Sequence, residues 1–260
     1  MAATLEIARA GAVATLWMNR PEVHNAFDEQ LIAELAAGCR ELDSDASVRV
    51  VVLAGRGRNF SAGADLNWMR RAAQNDIAAN REDARGFADM LRGLAEMGKP
   101  TIARVQGAAL GGGTGLAAAC DMVIAADDAI FATSEVRFGI IPAVISPYVL
   151  RAIGPRQALR YFQSAERIVA TQALAIGLAH EVVPKAELDA RVAALAQELV
   201  AGGPSALRAA KALVRDFAGR AIDAGVSAET AERIARQRAT DEGKEGIAAF
   251  LEQRPPRWQE

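Results

Sequence analysis

The chain has 260 residues, 51% hydrophobic and 24% charged, which supplies a full core and argues against disorder. A formal net charge of −2 and a pI near 5.9 give no electrostatic basis for holding nucleic acid or an anionic membrane. Cys39 and Cys120, about eighty positions apart and without metal-ligand spacing, predict two reduced, buried thiols and a cytoplasmic setting.

The opening "MAATLEIARAGAVATLWM" has neither a basic leader nor a long apolar run, so no signal peptide is expected. Alternation of apolar and polar residues around Gly11 predicts a β-hairpin. "DEQLIAELAAGCRELDSD" places Leu31, Leu35 and Leu42 at helical spacing behind Asp28 as N-cap. "VRVVVLAGR" reads as a buried strand closed by Gly55 and Gly57, and the loop "NFSAGADLNWMRRA" follows. A long helix is expected over 76–97, ended by Pro100. "TIARVQGAAL" predicts a strand, "GLAAACD" a short helix, and "MVIAADDAIFATSEVRFGI" strand, turn and strand. Strand–strand–helix recurs without strict repetition, predicting stacked ββα turns rather than a doubly wound sheet. From about residue 185 helical periodicity dominates, in "KAELDARVAALAQELVA", "PSALRAAKALVRDFA" and "SAETAERIARQRA". We therefore divide the chain into a core, residues 1–195, and a helical region, residues 196–260.

Two loops carry the chemical interest. In "LGGGTGLAAACD" three glycines stand where a strand hands over to a helix, although each glycine costs about 1 kcal/mol against alanine in a helix interior. Free N–H groups at a helix start can hold a phosphate or the oxygen that becomes negative in a transition state. The phosphate reading needs a lysine or a wider glycine spacing, which "GGGTG" lacks; tight helix–strand packing is the alternative. The second loop, with Ala62, Gly63 and Ala64, also follows a buried strand. Together the two loops offer one N–H each to a single oxygen.

The stretches "NRPEVHNAF", "FSAGADLNWM", "IARVQGAALGGGTGLAAACDMVIAADDAIFATSEVRFGIIP" and "EGIAAFLEQRPPRW" resemble, in order and spacing, the crotonase superfamily of enoyl-CoA hydratases and isomerases. The resemblance implies an α/β fold, a ββα superhelix with a C-terminal helical trimerisation region, and homotrimers or hexamers. It also implies an acyl-CoA thioester as substrate, with no cofactor beyond the coenzyme A that the substrate carries and no metal. By the same resemblance the amides of Ala64 and Gly112 form an oxyanion hole, and Glu135, expected to be walled by Phe131, Ile140 and Ile141, shuttles a proton. A first family glutamate maps onto Gly115, where it is absent.

"SEVRFGIIPAVISPYVLRAIG", in which "PAVISPYV" replaces the usual "PGGGGTQ", is similar to bacterial methylglutaconyl-CoA and carboxygeranoyl-CoA hydratases of leucine and isoprenoid degradation. That implies a lyase adding water to a branched, γ-carboxylated enoyl-CoA, with the gap at Gly115 making room for the carboxylate. An isomerase using one glutamate and a non-catalytic acyl-CoA-binding or RNA-binding paralogue are the alternatives. The expected substrate-binding set is Asn25 and Ala26 of the coenzyme A turn, Ala62, Ala64, Asp65, Leu66, Asn67, Gly112, Gly115 and Pro142, with Phe250 and Arg254 reaching a neighbour's coenzyme A. Asp65 is expected to orient its loop. Arg20, Lys99, Lys244 and Arg254 are candidate phosphate partners. His24 and His180 read as turn residues, and Trp17, Trp68 and Trp258 as packing residues, Trp68 close enough to the second loop to line the pocket.

Overall fold

The computed structural model describes residues 3–259. Strands β1 (Leu5–Ala10) and β2 (Val13–Met18) form the expected antiparallel hairpin about Gly11. Helix α1 (Glu29–Ser44) starts where Asp28 accepts the Leu31 N–H, and its buried Leu31, Leu35 and Leu42 face the core. Next come β3 (Val50–Gly55), α2 (Leu66–Ala72) and α3 (Ile77–Glu96), the last within a residue of the expected bounds.

"TIARVQGAAL" is not one strand. It divides into β4 (Thr101–Val105) and β5 (Ala108–Leu110) at Gly107, whose φ of +56° turns the chain from one sheet into another. A Cβ on Gly107 would overlap the Arg58 carbonyl, so only glycine fits this corner. Helix α4 (Gly112–Ala119) opens inside the glycine triplet rather than after it. Strands β6 (Met122–Ala126) and β7 (Ile130–Ala132) likewise belong to different sheets. Helix α5 (Ser146–Ser164), broken at Gly154–Pro155, strand β8 (Ile168–Val169) and helix α6 (Ala170–Ala175) are elements that the periodicity does not announce. Strand β9 (Glu181–Val183) and helices α7 (Leu188–Val200), α8 (Pro204–Phe217), α9 (Ala224–Ala239) and α10 (Asp241–Leu251) complete the chain.

The larger sheet runs β1-β2-β3-β4-β6-β9, parallel from β2 onward, and the smaller runs β5-β7-β8. Successive turns step from the first sheet to the second and then into helix, as in β4-β5-α4, which is the ββα superhelix. Single bridges, Ser61 to Ala109 and Phe27 to Ala64, extend the small sheet through the loop after β3. One apolar core lies between the sheets and α1, α3, α4 and α5. A second lies under α7, where Leu188, Val192 and Ala196 cover β3, β4 and β6. Residues 195 and 196 both lie within α7.

The C-terminal helices are fastened at few points. Lys211 on α8 pairs with Asp121 at 2.8 Å, and Arg49 donates to the Val200 and Gly202 carbonyls at the end of α7. They leave Val214, Ile222, Phe250 and Leu251 more than 70% exposed, a large uncovered apolar surface. Both thiols are free and buried, and burial pushes Cys39 up to about 12. Among the described residues no helix is long and apolar enough to cross a membrane.

Candidate active site

Each glycine of the triplet does something different. Gly111, with φ +53°, ends β5 and donates its N–H to the Ala132 carbonyl at 2.7 Å. A Cβ on Gly112 would overlap Phe27 Cζ and lie 2.8 Å from Phe87 Cζ; one on Gly113 would lie 2.5 Å from the Ser61 carbonyl oxygen. Tight packing is therefore part of the explanation. The other part is that α4 begins at Gly112 and leaves its N–H without an internal partner.

The loop after β3 is pressed against this helix start. A Cβ on Gly63 would lie 2.7 Å from the Leu110 carbonyl oxygen and 3.8 Å from the Gly112 nitrogen. Phe27 donates its N–H to the Gly63 carbonyl at 2.8 Å and accepts the Asp65 N–H at 3.0 Å, so Ala64 is held between two ladder bonds. Among the described residues, neither the Ala64 nor the Gly112 N–H meets an acceptor. Two such backbone donors on adjoining loops are what an oxygen of growing negative charge would need.

Glu135 opens a 3-10 turn, Glu135–Phe138, after β7. Its Oε1 lies 3.4 Å from where a Cβ on Gly111 would stand, so the carboxyl overhangs the helix start. Its Oε2 is buried and unpartnered, the only such carboxylate oxygen among the described residues. Burial raises the Glu135 pKa above the ordinary carboxylate value, opposed only in part by its own backbone N–H. Of the expected wall, Phe131 is fully buried, whereas Ile140 and Ile141 are 54% and 72% exposed within one chain.

The gap at Gly115 is corrected. A Cβ there would overlap Ile145 Cγ2 and lie 2.7 Å from Ile145 Cβ. Ile145 is itself 2% exposed. The space left by the missing glutamate is therefore filled by an isoleucine from the segment that replaces the glycine-rich one, and it offers no room for a carboxylate.

The remaining expected residues divide. Ala62 lies in the same loop just before Gly63, and Asp65, Leu66 and Asn67 follow Ala64 directly; Leu66 and Asn67 are exposed on α2. Asp65 caps α2, accepting the Asn67 N–H at 2.8 Å and the Trp68 N–H at 3.3 Å, which bears on its expected orienting role. The Asn25 side chain is wholly engaged, accepting from the Arg20 N–H and donating to the Arg56 and Asn59 carbonyls. The Ala26 carbonyl accepts from Arg20. Asn25 and Ala26 thus brace the turn, and no side-chain polar atom of Asn25 is left for coenzyme A. Pro142 is buried at the start of the segment that ends in Ile145.

Phe250 stands exposed on α10, while Arg254 is paired with Glu245 at 2.7 Å and with Glu252 at 2.7 Å. Lys99 caps α1 through the Leu42 and Asp45 carbonyls, and Arg20 is bound to two carboxylates, so neither stands free for a phosphate. His180 accepts the Val123 N–H, and His24 is an exposed turn residue with φ +56°. Trp68 packs edge-on to Phe27 at 6.1 Å, with its indole N–H buried and unpartnered. Sequence reasoning missed Phe27, Phe87 and Ile145, which touch the glycine helix from distant segments. The non-glycine residues of "PAVISPYV" were the available signal for Ile145.

A ββα superhelix that brings two unpartnered amides and a half-buried carboxyl to one helix start can stabilise an oxyanion and move a proton beside it. The family model described as enoyl-CoA hydratase/isomerase matches residues 8–260. The 2,3-dehydroadipyl-CoA hydratase of Escherichia coli is 36% identical, covering 97% of both chains. The crotonyl-CoA hydratase of Syntrophomonas wolfei is 35% identical over 93% of this chain and 92% of that protein. The crystal structure of an enoyl-CoA hydratase from Shewanella pealeana superposes with a TM-score of 0.95 at 41% identity, over 98% of this chain and 96% of that one. The chain belongs to the enoyl-CoA hydratase/isomerase family and is an enzyme acting on acyl-CoA thioesters.

Proposed function

We propose that this enzyme adds water across the double bond of a branched, carboxylated enoyl-CoA, using one carboxyl group. The observation that carries the reading is the buried, unpartnered Glu135 oxygen above two free amides. The Ala64 and Gly112 N–H groups hold the thioester oxygen. As water bonds to the β-carbon, the Glu135 carboxylate takes one of its protons and the π electrons move to the thioester oxygen. The enolate then collapses, and its α-carbon takes the proton from the Glu135 carboxylic acid. The net change is addition of H and OH, and the carboxylate is regenerated. Coenzyme A enters as part of the substrate.

A carboxylated acyl chain is supported by the resemblance of the "SEVRFGIIPAVISPYV" segment and by the relative named for a dehydroadipyl thioester. Arg137, two residues after Glu135, makes no ion pair among the described residues and is the cation we assign to that carboxylate. A single carboxyl also suits double-bond isomerisation, in which one proton is removed and returned elsewhere. The two reactions separate in one assay. Hydration removes the conjugated thioester absorbance of a 2-enoyl-CoA, whereas isomerisation of a 3-enoyl-CoA creates it. We expect loss with methylglutaconyl-CoA, at a kcat/KM at least ~10-fold above that with crotonyl-CoA, and Arg137→Met should remove the preference. Activity confined to 3-enoyl esters would overturn hydration, and no change with either would make the protein a binder.

We further propose that the exposed apolar residues of α8 to α10 are covered in a homotrimer or a pair of trimers. Sedimentation at micromolar concentration should give a trimeric or hexameric mass; a monomer sinks the proposal.

A further inference from the structure

We infer that Arg20 is the positioning residue of the oxyanion hole, a clamp that fixes the Ala64 amide through Asp65. This rests on the reading of Ala64 and Gly112 as the oxygen-binding pair. The Arg20 side chain is only 15% exposed, and its guanidinium reaches three groups on two segments. One arm donates to the Ala26 carbonyl; the other lies 3.0 Å from Asp65 Oδ2 and 3.0 Å from Asp28 Oδ2. Each carboxylate uses its other oxygen to start a helix, Asp28 at the Leu31 N–H of α1 and Asp65 at the Asn67 and Trp68 N–H groups of α2.

Ala64 sits inside this frame. On one side the ladder bonds from Phe27 to Gly63 and from Asp65 to Phe27 set its height. On the other, the residue bonded to it, Asp65, is held by Arg20, which also holds Ala26 beside Phe27. Both strands of the Phe27–Ala64 bridge are thus gripped by one cation. Burial alone would favour the neutral Asp65 carboxyl, yet the amide bonds and Arg20 together hold its pKa below the ordinary value. A planar fork serves three acceptors at fixed angles and an ammonium does not, so lysine keeps the charge and loses the geometry. Displacement of a donor by about 1 Å is enough to cost roughly 10²-fold in rate.

The test uses the whole enzyme and cinnamoyl-CoA, whose thioester carbonyl stretch reports how strongly the two amides polarise it. In wild type the band should move to lower frequency on binding. In Arg20→Lys the shift should shrink and kcat should fall about 10- to 100-fold, while KM changes less than about threefold. Asp65→Asn keeps a cap acceptor for α2 but loses the ion pair, and should give the same pattern in a folded protein. An undiminished shift in both variants overturns the clamp, even where thermal stability falls, because a purely structural ion pair leaves the carbonyl polarised. Absence of any shift in wild type overturns the oxyanion reading itself, and the clamp with it.

Discussion

Glu135→Gln is expected to lower kcat by roughly 10²–10⁴-fold with little change in KM, because the amide keeps the size of the side chain but cannot take up and return a proton. The same change should stabilise the fold at neutral pH. The reasoning is one of linkage. Burial raises the Glu135 pKa in the folded state, so the folded protein binds this proton more tightly than the unfolded chain. Stability from Glu135 is therefore present below the unfolded carboxylate pKa and is lost as pH rises through the folded value. At neutral pH the native chain carries the cost of a buried carboxylate, and glutamine removes it. Activity follows the opposite sign, since hydration starts from the carboxylate. The rate should fall on acidification through the raised pKa, at a pH above the ordinary carboxylate range. Stopped-time rate profiles and thermal melts from pH 5 to pH 8, a window on the order of the ordinary range of protein stability, check both. Near wild-type turnover in purified Glu135→Gln protein assigns the proton transfer to another group.

Gly115→Glu should damage activity equally on carboxylated and plain enoyl-CoA substrates. A new Cβ has nowhere to go, since Ile145 is β-branched and its own Cβ lies 2.7 Å from that point. Overpacking of this kind costs about 1–3 kcal/mol, only partly offset by the ~1 kcal/mol that alanine gains over glycine in a helix. Gly115→Ala alone should therefore lower Tm by a few degrees. Glutamate adds an unpaired charge inside a wholly buried helix and should cost more. Ile145→Gly in the same chain should restore much of the loss, a strong non-additivity between residues in contact. Calorimetry on the two single variants and the double variant measures it. If instead Gly115→Glu spares crotonyl-CoA turnover and abolishes turnover of carboxylated esters, the position does face the acyl chain and the packing account fails.

Local rules were sufficient wherever the cause was local. Asp28 and the leucines of α1 lie within one helix, so capping and periodicity announce them, and the same holds for α3 up to its proline stop. The glycine triplet, the Ala62–Asp65 loop and Glu135 were legible as types of residue in a recognisable order. Tertiary structure alone decided how they meet. Gly107 breaks an apparently continuous strand because the Arg58 carbonyl, 49 positions away in the chain, occupies the corner. Ile145 fills the place beside Gly115, and Arg20 is spent on Asp28, Asp65 and Ala26 rather than on a phosphate. The Asn25 side chain braces its turn through the Arg56 and Asn59 carbonyls. For Gly107, Gly115 and Asn25 the deciding partner is a backbone carbonyl or a side chain from a distant segment, and for Arg20 it is Asp65, 45 positions away. Periodicity and capping act over a few residues; occupancy of space and the pairing of buried polar groups are settled only when the turns stack.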